Sequence, residues 1–308
     1  MFAIPDYQAI MAFQKILCAT DFSEGSRQAM RVAIRLANEA GAELVLVHAW
    51  SVPPVAYAGE YVFWPDVMQE IAEGSRAALD AETREATALG AKRLRSELLA
   101  GTPRHEIVRV LEDDPAFDLV VMGTHGRTGL ARVLLGSVAE RIVRHAPCSV
   151  LVVRPDGEVA PFTRVLCPID FSESSRYAAE LAAGLPPPGS AEVTLLHVID
   201  PPLVHDRRQR TADFLRELDT RTTEHLDAWV AQLAGKAAAP VKKLSRVGRP
   251  GAEILQVLDE DPAFDLVVMG SHGRTGIERV FLCSVAEKIV RHARCPVLVA
   301  RRRTEPAG

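Results

Sequence analysis

The sequence predicts an α/β protein made of two duplicated domains, each an open, doubly wound, parallel five-stranded sheet. Two observations support this fold class. Residues 111–154 match residues 258–301 at an offset of 147, with 33 identities in 44 positions. Each half also alternates short apolar runs with amphipathic segments, and parallel strands need helical crossovers of this kind. A repeat of about 150 residues indicates a domain duplication rather than a solenoid unit.

The hydrophobic periodicity places the elements of the first half in order. Strands are predicted at 15–20, 43–49, 93–99, 118–122 and 149–153. Helices are predicted at 26–40, from about 66 to 89, at 103–111 and at 137–145. Gly41 is expected to end the first helix in a left-handed conformation, and Pro103 suits a first helical turn.

The second half repeats the same pattern. Its strands are predicted at 165–169, 193–198, 241–246, 265–269 and 297–300. A polar stretch at 155–163 separates the halves, so the predicted domains are residues 1–156 and 162–304. The aromatic segment 53–64 is interpreted as a lid or a partner surface.

The composition restricts the classes of partner. The formal net charge of −4 gives no general attraction to nucleic acid or to an anionic membrane. No apolar run approaches the roughly 20 residues that span a bilayer, and no basic leader begins the sequence. The five cysteines are odd in number and form no CxxC pair, which favours a reduced, cytoplasmic setting with most of them in the core.

The segment after the fourth strand has the pattern of a phosphate-binding loop. Gly123 and Gly126 are followed by nine residues and then by Gly136-Ser137. Glycines after a strand can adopt positive φ and let backbone amides approach an anion. Gly136-Ser137 then opens a helix, whose free amides and dipole favour negative charge. The alternative interpretation is that these glycines only form turns.

The second copy of this segment is altered at one position. Gly270, Gly273 and Ser284 are retained, whereas Cys283 replaces the glycine that opens the helix. If that position needs a left-handed backbone, a Cβ costs roughly 1–2 kcal/mol. If it needs only close approach, the thiol occupies space that phosphates would use. A helix N-terminus also commonly lowers a thiol pKa, which leaves a redox role open for Cys283.

These motifs resemble those of the universal stress protein family over nearly all of residues 14–303. In that family G-x-x-G, nine residues and G-[S/T] bind nucleotide. The resemblance implies Rossmann-like sheets with strand order 3-2-1-4-5 and ATP as the ligand. It also implies Asp21 beside the ribose and Leu44 lining the adenine pocket. Mg²⁺ would enter through the ATP phosphates, without dedicated protein ligands.

The predicted ATP site of the first domain comprises strand-end, loop and helix-start residues, namely Ala19, Thr20, Asp21, Leu44, Met122, Gly123, His125, Gly126, Arg127, Gly136, Ser137 and Val138. The weaker candidates of the second domain are Pro168, Asp170, Val193, Met269, Gly270, Gly273, Arg274, Ser284 and Val285. Asp21 and Asp170 have an alternative interpretation as helix-capping residues beside Ser23 and Ser172. His48 and His197 are interpreted as satisfied strand-end histidines.

The predicted function is nucleotide-dependent regulation of stress adaptation, with ATP bound mainly in the first domain. No GxxxxGK[ST] motif is present, and no GxGxxG follows the first strand. The sequence therefore favours a regulator over an enzyme. A non-nucleotide-dependent interaction module and a slow ATP hydrolase remain as alternatives. Since the family commonly pairs through its last strand, the resemblance implies an internal pseudo-dimer of the halves, with a homodimer as a further option.

Overall fold

The computed structural model describes residues 13–51, 55–57, 60–62, 65–124, 135–155, 159–186, 189, 191–200, 212–235, 237, 239–272 and 282–303. These residues divide into two compact units. The N-terminal unit contains residues 13–159 together with Arg303, whose guanidinium donates to the backbone carbonyls of Leu111 and Phe117. The C-terminal unit contains residues 160–302.

The N-terminal unit follows the predicted alternation of strands and helices. Its elements are β1 (Lys15–Ala19), α1 (Glu24–Ala40), β2 (Glu43–Trp50), β3 (Val55–Tyr57), β4 (Glu60–Val62), α2 (Pro65–Ala88), β5 (Leu94–Ala100), α3 (Pro103–Asp113), β6 (Leu119–Gly123), α4 (Ser137–His145) and β7 (Ser149–Val153). The parallel strands stand in the order β5-β2-β1-β6-β7. This order confirms the expected 3-2-1-4-5 arrangement.

The C-terminal unit repeats this topology. Its elements are β8 (Arg164–Ile169), α5 (Glu173–Gly184), β9 (Glu192–Ile199), α6 (Ala212–Ala234), β10 (Val241–Val247), α7 (Pro250–Glu260), β11 (Leu266–Gly270), α8 (Ser284–His292) and β12 (Val297–Ala300). Its parallel strands stand in the order β10-β9-β8-β11-β12. In both units the order reverses between the first and fourth strands, so ligands of such sheets are expected in the crevice there.

One element was not predicted. Strands β3 and β4 pair as a short antiparallel hairpin within the aromatic segment 53–64. The three-residue strands give too short a pattern for period-two alternation to identify them. The interpretation of the segment as a lid or partner surface depends on side chains outside the described residues.

Helix α1 shows why the predicted elements form. Its apolar positions recur on one face, and Ala29, Val32, Ala33 and Leu36 are buried against the sheet. Gly41 ends the helix in the left-handed region, with φ of 67°, as predicted. The central strands β1 and β6 are buried almost throughout, as expected for a parallel sheet covered on both faces.

An aspartate at the start of the fourth strand holds the first strand in register. In the N-terminal unit the Asp118 carboxylate accepts a hydrogen bond from the backbone amide of Gln14 at 2.6 Å. Asp265 accepts from the amides of Thr163 and Arg164 at 2.7 and 3.0 Å in the C-terminal unit. These contacts lie at the amino edge of each sheet, opposite the predicted site.

The cysteines occupy the positions in the core that the sequence predicts for most of them. All five cysteines are free, and Cys18, Cys148, Cys167 and Cys295 are buried, which confirms the predicted core positions. Burial raises the pKa of the Cys18 and Cys167 thiols, so both stay protonated at neutral pH. Within the described ranges, no helix is both long and apolar enough to cross a bilayer.

The first turn of α1 lies directly against the end of β6. A Cβ built on Gly123 would stand 2.9 Å from the carbonyl carbon and oxygen of Gly25. A Cβ on Gly270 would likewise stand 2.9 Å from the carbonyl carbon of Ser174. Neither glycine has the positive φ that the sequence analysis expected. These glycines are required because a helix backbone packs on the strand end.

We therefore expect Gly123→Ala to destabilise the protein by about 1–3 kcal/mol, the usual cost of overpacking. The added Cβ would meet the backbone of Gly25, which cannot change rotamer as a side chain could. Urea unfolding followed by circular dichroism measures this effect. Gly74→Ala is the matched control, since Gly74 is an exposed residue within α2 with no atom within 4 Å of its added Cβ. The control should gain about 0.5–1 kcal/mol. Equal midpoints for Gly123→Ala and the wild type would contradict the packing argument.

Candidate functional site

The turn after β1 holds Asp21 at the carboxyl edge of the sheet. Its Oδ1 accepts hydrogen bonds from the Ser23 amide at 3.1 Å and the Ser23 hydroxyl at 2.6 Å. The Ser23 hydroxyl in turn accepts from the Ser26 amide, so Ser23 is the N-cap of α1. Asp21 thus supports the cap indirectly, which is close to the alternative interpretation from the sequence. Asp170 repeats both contacts with Ser172.

The same turn depends on a left-handed residue and a histidine. Phe22 has φ of 65°, a conformation that costs a non-glycine residue roughly 1–2 kcal/mol. Its ring packs on His48 with centroids 4.2 Å apart, and His48 Nδ1 lies 2.8 Å from the Thr20 carbonyl oxygen. Phe171 and His197 repeat this arrangement in the C-terminal unit. These contacts confirm the strand-end histidines as satisfied structural residues.

The prediction for the second strand was wrong in position. Leu44 pairs with Ile16 near the amino end of β1, and Val193 pairs with Val165 in the same way. Both are fully buried and lie far from the carboxyl edge, so neither can line a pocket there. The residues of β2 at that edge are Ala49 and Trp50, which follow His48. Because parallel strands end at the same edge of a sheet, the last residues of the predicted second strand could have located them.

The ends of β6 and α4 are joined across the glycine segment. Met122 and Gly123 end the strand, and the Gly136 amide donates to the Thr124 carbonyl at 2.8 Å. In the C-terminal unit the Cys283 amide donates to Ser271 at 3.1 Å. Strand end and helix start therefore form one continuous edge. Five predicted residues lie outside the described residues: His125, Gly126, Arg127, Gly273 and Arg274.

Gly136 and Cys283 have the same backbone conformation. Gly136 has φ and ψ of −63° and 148°, and Cys283 has −66° and 149°. The hypothesis of a left-handed backbone at this position is wrong, because both residues adopt the extended conformation that suits any N-cap. Cys283 therefore costs no backbone strain, and the difference between the units is a difference of side chain.

That side chain occupies the start of α8. The Cys283 Sγ accepts a hydrogen bond from the Ala286 amide at 3.4 Å, so the thiol caps the helix. Gly136 gives α4 no side-chain cap, which leaves the amides of its first turn available to an external acceptor. Ser137 and Val138 begin α4, and Ser284 and Val285 begin α8.

The pKa of the Cys283 thiol depends on the groups that surround it. The pKa of Cys283 is raised, first by burial and further by the nearby Asp170 carboxylate, and the helix amides only partly offset this. The expectation of a lowered thiol pKa was therefore wrong, since burial outweighs the helix dipole. The influence of Asp170 indicates that the aspartate after the first strand and the helix start share one crevice.

The remaining predicted residues lie at the carboxyl ends of strands, beneath the crevice. Ala19, Thr20, Met122 and Met269 are nearly inaccessible to solvent, and Pro168 is buried in β8. Thr20 is polar and points into the core, which the sequence analysis did not explain. Its hydroxyl has a specific partner on α2.

That partner is Glu82, which the sequence analysis missed. The Thr20 hydroxyl donates to Glu82 Oε2 at 2.7 Å, and Glu82 is only 5% exposed. Its Oε1 has no hydrogen-bond partner among the described residues. Burial raises the pKa of Glu82, against the lowering effects of Thr20 and Arg27. A buried carboxyl with a raised pKa therefore lies next to Thr20, beside the turn that carries Asp21.

The second unit replaces this polar pair with an apolar one. Aligning Leu79-Asp80-Ala81 with Leu226-Asp227-Ala228 places Trp229 at the position of Glu82, and Ile169 corresponds to Thr20. Trp229 is largely buried, and its ring meets Phe171 edge-on with centroids 5.5 Å apart. The simultaneous change at both positions is a sequence signal that could have identified the pair.

Comparison with known proteins gives the same family for both halves. The universal stress protein family matches residues 12–154 and again residues 161–301. A universal stress protein of Mycobacterium tuberculosis is 31% identical over 81% of this chain and 82% of its own length. One of Methanocaldococcus jannaschii is 39% identical over 46% of this chain and 82% of its own.

Solved structures agree on the fold. A universal stress protein from Archaeoglobus fulgidus aligns with a TM-score of 0.65 at 21% identity, covering 94% of this chain and 99% of its own. At that identity the likeness concerns the fold alone. A universal stress protein in complex with cAMP aligns at 26% identity over 47% of this chain and 99% of its own, and its TM-score of 0.36 is too low for a structural argument.

We expect Glu82→Gln to stabilise the protein at neutral pH by on the order of 1 kcal/mol, because an amide removes a charge that burial disfavours. A carboxyl whose pKa is raised in the folded state stabilises fully below its unfolded pKa and loses that contribution as pH rises. The advantage of the variant should therefore vanish near pH 4 and grow toward pH 8. Thermal unfolding across this range measures it.

The control for this comparison is Glu70→Gln, which neutralises an exposed glutamate on the same helix. Its effect on the unfolding midpoint should be small and nearly independent of pH. A constant difference between Glu82→Gln and the wild type from pH 4 to 8 would show that Glu82 is not perturbed.

Proposed function

The chain belongs to the universal stress protein family and carries two of its domains, and from that premise we propose that its N-terminal unit binds ATP. The protein then acts as a nucleotide-dependent regulator of stress adaptation. The observation that supports this most directly is the open start of α4. Its N-cap, Gly136, supplies no side-chain acceptor to the first-turn amides, and these amides lie at the sheet edge where the strand order reverses.

We propose the following positions for the parts of the nucleotide. The phosphates bind at Gly136, Ser137 and Val138, because helix-start amides and the Ser137 hydroxyl are donors to anionic oxygens. The ribose lies at Asp21, whose carboxylate is held at the carboxyl edge of the sheet by its contacts with Ser23. The adenine packs against Ala49 and Trp50, the residues of β2 at this edge. The predicted contacts from His125, Gly126 and Arg127 remain part of the proposal.

The C-terminal unit binds nucleotide weakly or not at all. Its crevice has the same backbone geometry, with Gly270 closely packed and Asp170 in place. The Cys283 thiol, however, already accepts from the amide that an anion would use. An incoming phosphate must displace this half-buried thiol from its hydrogen bond, and the loss of one such contact corresponds to about a tenfold change in affinity.

In this proposal Mg²⁺ enters the site with the nucleotide, bound through the phosphate oxygens. Among the described residues, no group of three or more His, Cys, Asp or Glu side chains is placed to hold a metal ion. Phosphate oxygens together with the Ser137 hydroxyl form an oxygen donor set that suits Mg²⁺. When bound, the ion would neutralise phosphate charge, and the protein residues would position the nucleotide.

Three further features belong to this proposal. Pairing of the two halves as an internal pseudo-dimer, assembly of chains into a homodimer, and a cytoplasmic location all follow from the family resemblance and the composition. Light scattering of the purified chain at several concentrations tests the homodimer directly. A mass that stays that of one chain would remove it.

We expect one ATP per wild-type chain by isothermal titration, because only the first unit has an open helix start. Gly136→Cys should weaken binding about tenfold or more, since the new thiol would cap α4 as Cys283 caps α8. Cys283→Gly should create a second site and raise the stoichiometry toward two. Gly74→Ala, which changes a glycine far from the crevice, should leave both affinity and stoichiometry unchanged.

These measurements also separate the alternatives. Two equal sites in the wild type would contradict the proposed asymmetry. No copurified nucleotide, combined with an unchanged melting temperature in excess ATP, would favour an interaction module. Release of phosphate by the wild type that is lost in Gly136→Cys would support slow hydrolysis at the same site.

A further inference from the structure

An open basic groove borders the proposed phosphate site in the N-terminal unit. It encloses about 420 Å³ between the first turn of α3 and the length of α4. Its lining is dominated by cationic or ionisable side chains and includes the helix-start serine, namely Arg104, His105, Ser137, Glu140, Arg141, Arg144 and His145. The volume lies within the roughly 300–1,000 Å³ of small-molecule sites.

Among the described residues, the lining of the groove contains more cationic than anionic side chains. Glu140 is the one acidic residue of its lining, and it already pairs with Arg144 at 3.2 Å. Arg141 donates to His145 Nε2 at 3.0 Å, which uses a neutral histidine rather than an anion. Arg104 has no hydrogen-bond or ion-pair partner within the part of the chain that the structure describes. A groove with three arginines and one carboxylate therefore favours an anionic ligand.

The second unit retains the α4 part of this lining, with Lys288 in place of Arg141, and loses the α3 part. Ser284, Glu287, Arg291 and His292 repeat the α4 residues. The α3 residues Arg104 and His105, however, correspond to Gly251 and Ala252 on α7. Lys288 lies over that glycine, with its Cδ 2.9 Å from where a Cβ on Gly251 would stand. The basic wall is thus a feature of the first unit, the unit whose helix start is open.

We infer that Arg104 and His105 bind the distal phosphates of a nucleoside polyphosphate whose first phosphate lies at Gly136–Ser137. The inference rests on the proposed function and extends it. Ser137 lies on both surfaces, so a chain of phosphates leaving the helix start enters the groove directly. Arginine offers a planar set of donors that matches phosphate oxygens. The site therefore selects triphosphates over monophosphates.

The test compares AMP, ADP, ATP and inorganic tripolyphosphate by isothermal titration on the full chain. The variant is the double substitution Arg104→Gln with His105→Ala, and the control is Arg109→Gln. Arg109 lies on the same helix, is exposed, and pairs with Glu106 and Asp113 instead of facing the groove. We expect the double variant to lose about tenfold in ATP affinity and to bind AMP as the wild type does. The control should change neither.

The outcomes distinguish this inference from the proposed function. If ATP affinity is unchanged in the double variant, or if AMP and ATP affinities fall by the same factor, the groove does not hold distal phosphates and the inference fails, while ATP binding stands. If the wild type binds no nucleotide, the proposed function fails. Binding of inorganic tripolyphosphate then tests the groove by itself. Binding of tripolyphosphate that is weakened in the double variant supports the groove, and no such binding overturns it.

Discussion

The candidate site depends on how closely the first turn of α1 approaches the end of β6. The carbonyl group of Gly25 lies where a side chain on Gly123 would begin, so the helix and the strand end are held in direct contact. That contact brings the Asp21 turn, which precedes α1, to the same edge as the segment that follows β6. The crevice at the reversal of strand order is therefore fixed by backbone packing, before any ligand contributes. The same distance recurs between Gly270 and Ser174, so both units have the crevice.

With the backbone equal, a single sulfur atom distinguishes the two helix starts. A helix N-terminus offers donors that need an acceptor, which a side chain, water or a ligand can supply. In α8 the Cys283 thiol supplies it, and burial keeps that thiol protonated and in place. In α4 the N-cap is Gly136, which has no side chain to do so. The difference between the units is thus a competition for the same amides, not a difference in fold.

The fold could be predicted from the sequence because the patterns that indicate strands and helices are local and occur in both repeats. The duplicated apolar runs located the strands, and Gly41 and Pro103 marked helix ends that the structure confirms. The site was predicted less well, since its geometry depends on contacts between distant segments. Leu44 was assigned to the pocket although it lies at the start of the predicted second strand, whereas the last residues of a parallel strand lie at the carboxyl edge. The close packing of Gly123 was not predicted, because its contact with Gly25 joins segments nearly 100 positions apart. Glu82 was missed because a buried glutamate on an amphipathic helix resembles an ordinary polar position.

The two units make a comparison that one domain could not provide. At three places beside the crevice the N-terminal unit has a polar or open arrangement where the C-terminal unit has a closed one. Gly136 corresponds to Cys283 in the second repeat. The Thr20–Glu82 pair corresponds to Ile169 and Trp229, and Arg104 corresponds to Gly251. A buried carboxyl with an unpartnered oxygen is costly, and nothing in the shared fold requires it, because Ile169 and Trp229 fill the same place. The N-terminal unit has a buried carboxyl, a helix start whose N-cap Gly136 supplies no side-chain acceptor, and Arg104, which has no partner among the described residues. The last two can each bind an anion, which is the physical basis for proposing ligand binding in that unit.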